Sequence, residues 1–225
     1  MRSGVRFPAG CGFLLVVCLS GHVPGPQSAR GAEPTAKVAD EGFVSIFDGK
    51  TLEGWEGDRD LWKVEGSMIV GDTAAGIKQN EFLATEKRYG DFELRVEFRL
   101  RKREGNTGVQ FRSKRVEGSS EVSGYQADIG EKYWGCLYDE SRRNKILAEA
   151  PPGFERRLPR DGWNNYIIQA QGKHITLELN GVTTVDYIEE DEAIDRAGII
   201  ALQLHAGGPL HVEFRNLRIR ELPAK

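Results

Sequence analysis

Nine consecutive residues, Phe92-Glu93-Leu94-Arg95-Val96-Glu97-Phe98-Arg99-Leu100, alternate apolar and charged side chains without a break. Successive side chains of an extended chain point to opposite faces, so this run puts its apolar groups on one face and Glu-Arg-Glu-Arg on the other. It predicts a half-buried antiparallel strand with a solvated outer face. Its charges read as cross-strand pairs, without a part in function.

Shorter segments of the same kind recur along the chain. They lie at Phe43 to Lys50, on both sides of a Glu65-Gly66-Ser67 turn, at Gly108 to Ser113, Gly124 to Ile129, Trp163 to Ala170, His174 to Leu179, Thr183 to Tyr187, Gly198 to His205 and Leu210 to Arg220. Asn180-Gly181 between two alternating runs is a hairpin signal. No segment carries a long 3.6-residue period; Asp191 to Arg196 suffices for one helical turn. Many short strands joined by Gly-rich turns predict an all-β protein, a two-sheet antiparallel jelly-roll sandwich. Residues 131–160 differ: they are rich in Arg, Tyr, Trp and Pro, lack alternation over most of their length, and read as a functional loop.

The N-terminus has Arg2 and Arg6, an apolar run from Cys11 to Leu19, and then Gly, Pro and Ser up to about Ala32, the layout of a secretory signal. Residues 1–31 are therefore read as a signal peptide, 32–41 as a linker and 42–223 as the domain, exported to the periplasm or the medium. Cys18 is a candidate lipid anchor, weakened by the bulky Val17 before it. The apolar run is too short to span a bilayer, and no other stretch is suited to it. Of three cysteines only Cys136 falls in the mature chain, so an internal disulfide is not expected. A net charge of -3, from 31 basic and 34 acidic residues interspersed, leaves no electrostatic footprint for nucleic acid. Neutral ligands such as sugars fit better.

Three segments carry polar groups of chemical interest on one parity. Gln110 and Arg112 share a face, as do Gln126 and Asp128, and Gln203 and His205. If the strands are neighbours, these residues form a polar binding face. For each there is a structural alternative: Arg112 can pair with Asp128 across strands, His205 can be a hydrogen-bonded residue at a strand end, and Trp134 can cap the core instead of stacking a sugar. Asn106, beside Gly105, is first a turn residue. Arg142, Arg143 and Lys145 read as a solvated cluster.

The ordered set Phe47-Asp48-Gly49-Lys50-Thr51-Leu52-x-Gly54-Trp55, Trp62-Lys63-Val64, Tyr89-Gly90-Asp91-Phe92-Glu93-Leu94, Gly105-Asn106-Thr107-Gly108-Val109-Gln110-Phe111-Arg112, Gly124-Tyr125-Gln126-x-Asp128, Trp163-Asn164, Asn180-Gly181, Leu202-Gln203-x-His205 and Phe214-Arg215-Asn216 resembles the 3-keto-disaccharide hydrolase domain family. The resemblance runs from about Gly42 to Leu222. It implies a concanavalin-like β-sandwich acting on glycosides whose C3 hydroxyl has been oxidised to a ketone, and hence a functional link to a sugar 3-oxidoreductase. Tyr133-Trp134-Gly135 followed by Leu137-Tyr138-Asp139-Glu140-Ser141-Arg142-Arg143-Asn144 looks like a distinct branch.

A C3 ketone acidifies the C2 proton, so a base can form an enolate and the oxygen at C1 leaves by β-elimination; water then adds. Such a site needs a base, an enolate stabiliser and an acid. Asp128 and His205 are the candidates for base and proton shuttle, Arg112 for holding the ketone oxygen, and Tyr138 or Glu140 for protonating the leaving oxygen. Gln110, Gln126, Gln203, Trp134 and Asn106 complete the expected substrate contacts. Laminarinase-type glucanases place Glu-x-Asp-x-x-Glu on one strand; here the run is Gln126-Ala127-Asp128-Ile129-Gly130-Glu131, and Gln cannot form a glycosyl-enzyme ester. No cofactor is expected. Asp128, His205 and Asp139 are the only residues considered for a divalent ion, and no ligand spacing supports one. The competing readings are a non-catalytic carbohydrate-binding module, lectin-like or laminin G-like, and an envelope protein whose ligand is another protein.

Overall fold

The computed structural model describes residues 42–159 and 161–225. The expected signal peptide, linker and Cys18 anchor lie outside the described residues. The strands are β1 (Val44–Ser45), β2 (Trp55–Glu56), β3 (Trp62–Glu65), β4 (Met68–Asp72), β5 (Glu81–Thr85), β6 (Phe92–Leu100), β7 (Asn106–Arg115), β8 (Val122–Gly130), β9 (Leu137–Glu140), β10 (Lys145–Ala148), β11 (Asn164–Gln171), β12 (His174–Leu179), β13 (Val182–Ile188), β14 (Ile199–Leu204) and β15 (His211–Glu221). They form two antiparallel sheets. Sheet A runs β13-β12-β11-β6-β15-β4-β3 with β1 on β15, and sheet B runs β10-β9-β8-β7-β14-β5-β2.

β6 coincides with the alternating nonapeptide. Phe92, Leu94, Val96, Phe98 and Leu100 are buried against sheet B, and Phe92 meets Phe111 edge-on at 6.2 Å. The outer residues pair as charge complementarity predicts: Glu93 with Arg95 and Arg220, Glu97 with Arg215, and Arg99 with Glu213. Such partly exposed pairs contribute little individually.

Three expectations need correction. The stretch 131–160 is not one long loop: it holds β9 and β10, which pair as a hairpin beside β8, and a short 3-10 helix at Phe154–Arg157. These strands have only four residues each, too few for alternation to stand out. β5 also escaped detection, because Phe82-Leu83-Ala84 is continuously apolar and buried on both faces. Finally, Asp191 to Arg196 forms turns and no helix.

Candidate functional site

β7, β8 and β14 are neighbours in sheet B, so the three polar segments do come together. Gln110 stands opposite Gln126 and Gly108 opposite Asp128, while Ala201 and Leu202 stand opposite Gln110 and Val109. Val109, Ala127, Ile129 and Leu202 face the core, leaving Gln110, Gln126, Asp128 and Gln203 on the outer face. β9 extends that face, with Tyr138 opposite Gln126 and Glu140 opposite Gly124.

The side chains form one hydrogen-bonded rack. Gln110 Nε2 donates to Gln126 Oε1 (3.0 Å), and Gln126 Nε2 donates to Asp128 Oδ2 and Gln203 Oε1 (both 3.2 Å). Gly108 makes this possible. A Cβ there would stand 2.6 Å from the Gln126 side chain, which lies across it. Asn106 Nδ2 and the Ile129 amide both donate to Asp128 Oδ1 (2.9 Å each). Asn106 is thus more than a turn residue: it holds the carboxyl.

A strap crosses this face. The β7–β8 ladder breaks between Phe111 and Lys114, and beyond the break the hairpin folds over the sheet, packing Val122 on Phe82, Ala84 and Ala201. Its tip is tied at both sides: Ser120 Oγ donates to the Asn80 carbonyl (2.6 Å), and Glu121 Oε2 accepts from Asn80 Nδ2 (3.4 Å) and Ser141 Oγ (3.2 Å). Asn80 Oδ1 accepts the Ala206 amide (2.8 Å) and so anchors the residue next to His205. Gln110, Gln126, Asp128 and Gln203 are buried although they point away from the core.

Burial sets the electrostatics. Loss of hydration pushes the Asp128 carboxyl up to about 7, against the pull of Asn106, Gln126 and the Ile129 amide, with Glu140 adding to the rise. Glu140 is raised by burial first and then by the facing Glu121, and is held back by His205 and Gln203. The Tyr138 phenol is likewise raised, by burial and by Glu140. His205 is exposed, and its Nδ1 lies 2.7 Å from the Ala206 carbonyl. A carbonyl only accepts, so Nδ1 carries the proton and Nε2 presents its lone pair outward.

Arg112 does not join this site. It adopts φ +46° at the ladder break, which reverses its direction relative to Gln110. Its guanidinium donates to Asp91 Oδ1 (2.6 Å), the Gly90 carbonyl (3.0 Å) and the Gly172 carbonyl (2.7 Å). The alternative pair with Asp128 is not formed, since Asp91 is the partner instead. Arg112→Met is expected to lower stability by about 3–5 kcal/mol, because Asp91 stays buried without its partner. Urea unfolding measures this, and an unchanged midpoint would refute the structural assignment.

Trp134 is also displaced from the face. It is buried and stacks on Phe98 at 6.4 Å and 27°, so it is part of the core. Asp139 points inward to Arg142 and Arg143, away from Asp128 and His205. That pairing draws Arg142 and Arg143 into a half-buried ion network, with Arg143 bridging to Glu189 (2.6 Å), while Lys145 stays exposed as expected. Among the described residues no group of three His, Cys, Asp or Glu side chains is placed to hold a metal ion, and no helix is long and apolar enough to cross a membrane. Asn80 and Glu121 carry no sequence signal, since neither falls in an alternating run or in a motif quoted above.

Residues 42–220 match the sequence model of the 3-keto-alpha-glucoside-1,2-lyase-like domain. The chain belongs to this family. No curated protein matches the lyase-like domain in sequence. Among solved structures it is similar to a protein assigned to the glycosyl hydrolases from Parabacteroides distasonis (20% identity, TM-score 0.63, covering 81% of this chain and 95% of that one). It is similar also to the carbohydrate-binding module CBM66 from Bacillus subtilis (16%, TM-score 0.58, 79% and 100%). A third is a Bacillus subtilis protein with a galectin-like fold (10%, TM-score 0.60, 77% and 92%). At these identities the likeness establishes the sandwich fold of the lyase-like domain, and the site must carry the argument for function.

Proposed function

We propose that this lyase-like domain cleaves glycosides of 3-keto sugars by elimination and rehydration. The observation that carries the reading is the electrostatic interaction between Glu140, whose carboxyl is raised by burial, and His205 at the end of β14 beside a buried amide rack. A base and an acid that holds its proton more tightly than an ordinary carboxyl are the pair an elimination needs.

His205 Nε2 takes the proton from C2, and the electron pair delocalises onto the C3 ketone as an enolate. Gln203 Nε2 is a buried amide donor on this face beside the Glu140 carboxyl, and it takes the enolate-stabilising part first assigned to Arg112. As the enolate collapses, the C1–oxygen bond breaks and Glu140 protonates the departing oxygen. Water then adds, hydroxyl to C1 and proton to C2, so the sum is hydrolysis. Asp128 is only 3% exposed and both its oxygens already accept hydrogen bonds. Its part is to position Gln126, and through it Gln203, rather than to touch the sugar.

The family membership and the absence of a Glu at position 126 support elimination over a glycosyl-enzyme route. The substrate is supplied by an oxidoreductase that makes the ketone, and the N-terminal pattern supports an exported, envelope or extracellular location. One observation favours a second reading, a carbohydrate-binding module: the glutamine rack is also what a sugar-binding floor needs, and CBM66 shares the fold. Incubating the protein with a 3-keto-disaccharide and, in parallel, its unoxidised parent separates them. Release of reducing sugar from the keto compound alone is the expected result; release from neither, with binding retained, replaces the enzyme by the module.

A further inference from the structure

One cleft lies apart from the polar face itself. It has a volume of about 690 Å³ and lies between the β8–β9 connection and the segment after β10, within the roughly 300–1,000 Å³ typical of small-molecule sites. Glu131 is shared: it also borders a smaller cavity of about 180 Å³ that contains Asn106 and His205. The cleft is also bonded to the site's backbone, since Asp128 N donates to the Cys136 carbonyl (3.0 Å) and Gly135 N to the Asp128 carbonyl (3.1 Å).

Its lining is uneven in chemistry. Ile146, Ala150, Pro151, Pro152 and the buried Trp134 supply the walls, whereas Glu131, Lys132 and Glu149 are exposed at the rim. A hexose is recognised by hydrogen-bonding groups held in fixed positions, and Asn106 and His205 offer such groups in the adjoining cavity. The cleft provides apolar walls, with its ionic groups on the exposed Glu131, Lys132 and Glu149 and the half-buried Glu155, and its walls are suited to burying apolar surface.

We infer that this cleft is the leaving-group subsite and that it takes a planar, largely apolar aglycone in preference to a second hexose. The inference rests on the reading of the polar face as the sugar site, with the bond to be broken lying beside His205. The ring oxidised at C3 occupies the cavity bordered by Asn106, His205 and Glu131 at the end of that face, and the group expelled from C1 moves into the neighbouring cleft.

The test compares a phenyl 3-keto-glucoside with a 3-keto-disaccharide of the same anomeric configuration. The phenyl compound is expected to show a kcat/KM higher by about tenfold or more, the scale on which apolar pockets discriminate. Ala150→Trp fills the cleft wall, and Glu149→Trp blocks its mouth from an exposed position that leaves the core untouched. Both are expected to raise KM for the phenyl substrate about tenfold and to raise it less for the disaccharide, whose leaving hexose gains less from the apolar walls. Equal efficiency on the two substrates, or variants that affect both alike, would overturn the inference. Cleavage of neither substrate refutes the proposed function instead. In that case, NMR shift changes on adding phenyl glucoside decide the cleft: changes at Trp134 and Ala150 retain it as an apolar-ligand site, and their absence removes it.

Discussion

His205→Ala is expected to lower kcat on a 3-keto-glycoside by about 10²–10⁴-fold, the usual contribution of a positioned general base. KM and the unfolding midpoint should change little, because the ring is exposed and its only recorded hydrogen bond is to the neighbouring Ala206 carbonyl. Glu140→Gln tests the other half of the pair. It keeps the shape and removes the acid, so the loss should be similar for a poor leaving group and smaller for a good one. The wild-type rate should fall as pH rises through the raised Glu140 pKa, since only the protonated carboxyl can deliver a proton. Glu140→Gln should lack that limb of the profile. Wild-type rates in both variants, in a steady-state assay across pH, would remove both residues from the reaction.

The second large effect is on stability. An unfolded aspartate ionises near 3.9, whereas Asp128 in the fold holds its proton up to about 7. Between these values the folded protein binds the extra proton, so stability falls as pH rises from about 4 to about 7 and is level above that. Over the full interval this one group accounts for about 4 kcal/mol at most. Asp128→Asn has no proton to lose. Its unfolding free energy should therefore lack this slope, and the wild type's advantage over it should shrink by several kcal/mol between pH 5 and pH 8 in urea titrations. A difference that stays constant with pH would mean that Asp128 ionises normally and that water reaches it.

Much of this arrangement is legible residue by residue. Phe92 to Leu100 specifies both faces of β6, and its charges find cross-strand partners on β15, as with Arg215 on Glu97 and Arg220 on Glu93. The shared parity of Gln110, Gln126, Asp128 and Gln203 survives in the fold, because each lies in an unbroken stretch of strand. Arg112 shows where the inference stops. It sits two residues from Gln110, yet the break in the β7–β8 ladder turns it to the opposite side. Trp134 was open between sugar and core, and its stacking on Phe98 of the other sheet decides for the core.

Local pattern alone therefore determined most of the strands, though not β5, β9 or β10, together with the two-sheet class and the polar face. It did so because side-chain alternation depends only on the dihedrals of adjacent residues. The tertiary structure alone decided that the β7–β8 hairpin straps the face, that Glu121 and Asn80 close it, and that Glu140 from β9 stands near His205 after β14. Those meetings depend on ladder register, on one backbone break with positive φ, and on packing between residues 20 or more positions apart. The raised carboxyls follow from the same cause: burial is a property of what covers a residue, and residues 114–122 cover this face only once the sheet has formed.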